Sequence, residues 1–209
     1  VRRAWALAAL WGTLLGCALR PPQVGERGPT LEDPVAEQAY QEALERYTSH
    51  REVYSMFDTR LLAFATSETT TFRTARVKRR AQFQKLPVEE VSRLLAVEER
   101  EAAAFHDFTF GAHLNEKRFD DFDKRDTAWR VALVTEAGQI VPKTIERLGR
   151  SNLELRAYYP ALDDFWTAYR FRFPKVGADG RPLWPAGTKQ AVLRVSSILG
   201  NAEFPVMLE

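Results

Sequence analysis

The sequence predicts an α+β protein: an antiparallel β-sandwich of about seven to eight strands, with an N-terminal helix and a helical hairpin insertion. Three observations carry this. Residues 34–104 hold three stretches with helical periodicity. From Phe105 onward short runs rich in β-branched and aromatic residues alternate with turn residues. No strand–helix–strand rhythm appears after residue 105, which argues against a doubly wound parallel sheet.

In chain order, Asp33 is a good N-cap and Pro34 suits a first helical position. Val35, Ala36, Ala39, Tyr40, Ala43, Leu44 and Tyr47 then form one apolar face, and the helix is expected to end near Ser49-His50. Residues 52–65 read as an extended, aromatic-rich segment. A basic helix follows over about 70–85, with Arg73, Arg76, Lys78, Arg79, Arg80 and Lys85 and no acid among them. Leu86-Pro87 makes a turn into a second helix over about 88–104, whose polar face carries Glu89, Glu90, Glu98, Glu99 and Glu101. Opposite charges on consecutive helices predict an antiparallel hairpin, either inserted before the sandwich or packed on one sheet. Strands are expected at 105–114, 129–135, 139–147, 152–159, 165–173, 190–199 and 202–208. In 165–173, Tyr169, Phe171 and Phe173 face one way and Ala168, Arg170 and Arg172 the other.

The segment before the domain has its own grammar. Arg2 and Arg3 precede an uncharged apolar stretch from Ala4 to Gly16, shorter than the roughly twenty residues of a spanning helix. It ends in Leu14-Leu15-Gly16-Cys17, and Cys17 is the one cysteine of the chain. That run resembles the lipobox of bacterial lipoproteins. The resemblance implies a signal peptide over 1–16, cleavage before Cys17 and lipid, palmitate included, on its sulfur. Ala18 in place of Asp implies the outer membrane where the cell has one, facing the periplasm or the cell surface. Residues 17–33, with three prolines and two glycines, are expected to be a lipidated cysteine and flexible tether, and 34–209 a single globular domain. With its cysteine acylated, the domain would contain no internal disulfide.

Processing changes the charge. The chain counts 30 basic and 28 acidic residues. Loss of Arg2 and Arg3 leaves 28 against 28, so nothing global points to nucleic acid.

Candidate chemistry is sparse. His106 and His113 flank Asp107, but their odd separation on a strand puts them on opposite faces, so no metal site is expected. Asp120, Asp121, Asp123 and Asp126 lack the glycine and spacing of a calcium loop and read as a solvated loop, with Phe119 and Phe122 docking back on the core. There is no Gly-x-Ser-x-Gly elbow, no His-Glu-x-x-His helix and no phosphate loop. No catalytic residue and no cofactor are assigned. Arg73, Arg76, Arg79 and Arg80 are a candidate anionic-surface patch, with pairing to the acidic helix as the competing role. The functional expectation is a membrane-anchored envelope lipoprotein, a binding or structural component with an envelope protein partner and no catalysis. The alternatives are an envelope hydrolase with a dispersed site, or a lipoprotein that binds anionic lipid or lipopolysaccharide.

Overall fold

Asp33 opens the first helix, α1 (Pro34–Tyr47), its carboxylate accepting from the Val35 amide at 3.0 Å. This is a computed structural model, and it describes residues 28–209 except Ala137, Ala178 and Ala186. The expected signal peptide, Cys17 and tether residues 18–27 lie outside the described residues. Residues 28–33, expected in the tether, belong to the domain instead. The Pro29 carbonyl accepts from Arg79 at 3.0 Å and the Leu31 amide donates to Glu37 at 2.8 Å.

Helix α1 ends at Tyr47, and the β-branched Thr48 continues without a loop into β1 (Thr48–Ser55). A two-residue turn, Met56-Phe57, joins β1 to β2 (Asp58–Ser67), so the single extended segment expected at 52–65 is a hairpin. Helices α2 (Thr70–Gln84) and α3 (Val88–Ala104) form the expected helical hairpin. Thr69 caps the first, and Lys85, in the left-handed region at φ 50°, ends it. The chain then runs directly into β3 (Phe105–Leu114).

Two strand expectations need correction. Residues 139–147 split into β5 (Gly138–Ile140) and β6 (Thr144–Arg150), because Pro142 carries no amide to continue a ladder. Residues 152–159 are mostly helical, α4 (Leu153–Tyr158). The Asn152 side chain caps the Leu155 amide at 2.9 Å, and the residues that follow are good helix formers. The remaining strands are β4 (Arg130–Thr135), β7 (Thr167–Pro174), β8 (Gln190–Ser197) and β9 (Gly200–Met207).

All pairings between these strands are antiparallel, in two sheets ordered β1-β2-β3-β7-β6 and β5-β4-β8-β9. Their facing sides bury Leu61, Phe108, Phe110, Phe171 and Phe173 against Val131, Leu133, Leu193, Val195 and Phe204. The other side of the five-stranded sheet is buried too. There Phe64, Tyr159, Leu162 and Ala168 meet Tyr40, Tyr47 and Phe72 from α1 and α2. The helical hairpin is therefore part of a layer on this sheet. Gly111 makes part of the fit possible, because the Phe64 ring occupies the space a Cβ there would need.

The polar loop after β3 docks as expected. Phe122 is buried, stacks on Trp129 with ring centroids 4.8 Å apart, and the Trp129 indole N–H donates to the Phe119 carbonyl at 2.7 Å. Asp120 departs from the expected solvated loop. It accepts from Tyr169 at 2.8 Å, Thr167 at 2.7 Å and Arg147 at 3.1 Å.

Candidate functional site

The most chemically developed feature is a polar cleft of about 580 Å³ on the helix-covered side of the five-stranded sheet. Alternation builds its floor. On β3, Phe108 and Phe110 point into the sandwich while Asp107 and Thr109 point to the helices, and on β7 Arg170 and Arg172 do likewise. Glu68 joins them, because its amide extends the β2–β3 ladder to the Asp107 carbonyl at 2.9 Å. Helical spacing supplies one wall: Arg73 and Arg76 lie three residues apart on α2, and Glu98 and Glu101 three apart on α3. Val97, Leu148 and Leu155 also line it, with Asn152, Glu154, Tyr158 and Tyr159 from α4 and its two ends.

These charges form a continuous chain of pairs. Arg73 donates to the Glu68 carbonyl at 2.7 Å, to Glu98 at 2.6 Å and to Asp107 at 2.7 Å. Arg172 donates to both oxygens of Asp107, at 3.1 and 3.0 Å, and lies 2.7 Å from Glu101. Arg76 reaches Glu98 at 3.0 Å and Glu68 at 3.3 Å. On its other oxygen Glu68 accepts from Thr109 at 2.8 Å and Tyr159 at 2.5 Å.

Each titration that shifts in the cleft moves away from neutral pH. Burial alone would raise the Glu98 carboxyl, but Arg76 and Arg73 outweigh it and hold it below the usual carboxylate range. Burial opposes charge on Arg73, Arg76 and Arg172 as well, yet their carboxylate partners raise all three. Burial and then the Glu68 charge push the Tyr159 phenol well up.

The four arginines expected as one anionic-surface patch do not share a surface. Arg73 is buried among the oxygens just named, and Arg76 is paired with Glu98 and Glu68. Arg79 is buried against α1. It donates to the Ala157 carbonyl at 2.6 Å, to Glu37 at 2.6 Å and to Pro29, with its guanidinium 4.3 Å from the Tyr40 ring centre. Of the four, Arg80 alone is exposed, bonded to Gln84 at 2.9 Å. The reason is the competing role: both flanking helices offer carboxylates, and a buried guanidinium needs them.

The two histidines of β3 part as expected. His106 meets the Trp184 ring edge-on at 5.4 Å, while His113 packs by Phe165 and Trp166 on the other side. No group of three or more His, Cys, Asp or Glu among the described residues could hold a metal ion. No helix among them is long and apolar enough to cross a membrane.

Sequence reasoning did not select Glu68, Asp107, Tyr159 or Arg172. One signal was present: Arg170 and Arg172 alternate with three inward aromatics, so carboxylates were needed from neighbouring strands or from the cover, and Glu146, Asp107 and Glu101 supply them. Compared with protein families, curated proteins and solved structures, the chain matches none.

Proposed function

We propose that this chain is a membrane-anchored lipoprotein of the cell envelope, a binding or structural component rather than a catalyst. Anchoring rests on the Leu14-Leu15-Gly16-Cys17 run. One structural observation favours binding over proton-transfer chemistry. In the most developed polar cleft, the shifted groups are driven away from neutrality, Glu98 and Arg73 by their partners against burial and Tyr159 by burial and then the Glu68 charge. A general acid or base works best with a pKa near the operating pH, and these shifts run the other way. The charges join α2 and α3 to the sheet.

Mass spectrometry of the protein from native membranes tests the anchor. The expected result is loss of residues 1–16 and an acylated Cys17, with Cys17→Ala releasing the domain into the soluble fraction. An unmodified Cys17 on an intact leader overturns the proposal.

A further inference from the structure

The end of the sandwich formed by the β1–β2 and β8–β9 turns carries apolar side chains that the fold leaves in solvent. Met56 and Phe57 form the apex of the first turn and are 92 % and 101 % exposed. Tyr54 stands beside them at 56 %. Ile198 occupies the β8–β9 turn at 87 %. The two turns are neighbours, because Gly200 sits so close to Val53 of β1 that a side chain there would collide with it. Phe165, 64 % exposed, projects from the same end of the five-stranded sheet, where β7 begins opposite Ala112.

The apex is also strained. Met56 has φ 56°, a left-handed conformation that the first position of a two-residue hairpin ordinarily gives to glycine. A large apolar residue is thus held where glycine would be easier, and its side chain contributes nothing to the core.

We propose that these turns form a membrane-contact surface, with Tyr54, Met56, Phe57 and Ile198 entering the headgroup–acyl boundary of a lipid bilayer. The surface is convex, made of protruding apices. A bilayer receives such side chains without a complementary groove, and Tyr54 suits its interfacial depth. The charges nearby do not oppose this occupant. The acids nearby are engaged: Glu52 accepts from Tyr54, Asp58 from Asn115 at 3.1 Å, and Glu116 from Arg60 at 3.0 Å and Arg118 at 2.6 Å. Exposed Lys117 instead donates to the Phe165 carbonyl at 3.1 Å, and exposed Arg51 to the His50 carbonyl at 2.6 Å. Among the described residues Arg51 and Lys117 have no carboxylate partner, and Glu52 and Asp163, which accepts from the Phe165 amide at 2.9 Å, have no cation partner. The charge beside the apices is therefore balanced, and apolar insertion is the attraction.

The proposal takes its membrane from the anchored reading. Cys17 and Gly28 are eleven residues apart, which allows a reach of about 35–40 Å. That is comparable to the roughly 33 Å length of a ten-residue strand such as β2. The lipid can therefore hold the body near the bilayer while the turns set its orientation.

The test protein is residues 28–209, which contain both cores and every strand pairing and lack Cys17. A failure here is thus separate from a failure of acylation. The probe is vesicles of phosphatidylethanolamine and phosphatidylglycerol, read by co-sedimentation. The parent segment is expected to sediment, and M56G/F57S/I198S to bind on the order of tenfold more weakly. Met56→Gly alone is expected to weaken binding while leaving the melting temperature equal or higher, since glycine relieves the apex. A parent that stays in the supernatant, variants that sediment like the parent, or a dimer in solution that Met56→Gly dissolves would each overturn the proposal.

Discussion

The five-stranded sheet is covered on both sides, and the two covers follow different physics. Toward the second sheet, Phe110 stacks on Phe171 at 4.8 Å and meets Phe122 and Phe204 edge-on. Toward the helices, Arg73 joins Glu68, Glu98 and Asp107 with bonds of 2.6–2.7 Å. Apolar contact is non-directional and supplies most of the free energy of burial. A guanidinium held by three oxygens has one satisfactory position. The two covers therefore contribute different things. The sandwich side rests on its aromatic core, whereas the helix side adds to its own cluster of Tyr40, Phe64 and Phe72 an ionic group that fixes where α2 and α3 sit.

The largest effect should come from the aromatic side. Phe110 is fully buried, and Phe110→Ala is expected to cost about 3–5 kcal/mol, the usual range for emptying a buried ring. Urea unfolding would read it as a lower midpoint with an unchanged slope. A cost under about 1 kcal/mol would mean this layer is not the principal core.

The ionic side should respond in a different manner. Asp107→Ala takes the shared carboxylate from Arg73 and Arg172, leaving them Glu98 and Glu101, and should cost about 3 kcal/mol. Arg73→Met in the same protein should restore part of that loss, because removing both partners spares the unpaired charge. Additive losses in the double-mutant cycle would show that the pair does not couple helix to sheet. No such recovery is available to Phe110→Ala, where the missing volume itself is the cost.

The aromatic side was the more legible of the two in the sequence. Tyr169, Phe171 and Phe173 at every second position define an inward face whatever lies opposite. The helical hairpin was legible because Leu86-Pro87 punctuates two periodic stretches of opposite charge. The candidate site was hidden, since Glu68, Asp107, Glu98 and Arg172 come from four separate places in the chain that only the tertiary fold brings together. Local context also misled. Alternating Leu153, Leu155 and Ala157 resemble a strand until Asn152 is recognised as a cap. The Met56-Phe57 turn contains no glycine, asparagine or proline to announce it.

The smallest effect separates the histidines from the ion pairs by pH. His106 lies on the sandwich side of β3 against Trp184, and burial, reinforced by Lys175 and opposed by Asp107, lowers its pKa to about 4. The folded protein keeps this ring neutral between about pH 6.5 and 4, whereas the unfolded chain takes up a proton there. Its contribution is complete above about pH 6.5 and is lost as the pH falls toward 4. His50, on the helix-covered side against Phe64, is also lowered by burial and acts in the same direction. Glu98 behaves otherwise. Its pKa is held down by Arg76 and Arg73 against burial, so its contribution persists above its ordinary value near 4.5 and is lost only below it. Melting temperatures measured from about pH 7 to 3 should therefore fall first through the histidines and then through the ionic cover. His106→Gln should remove roughly 1–2 kcal/mol of the loss between about pH 6.5 and 4.5, less than the full shift because the ring is partly exposed. The step below about pH 4.5 should be unchanged. If His106→Gln leaves the upper step intact, the sandwich side holds no titrating group that matters, and acid acts on the helix-covered side alone.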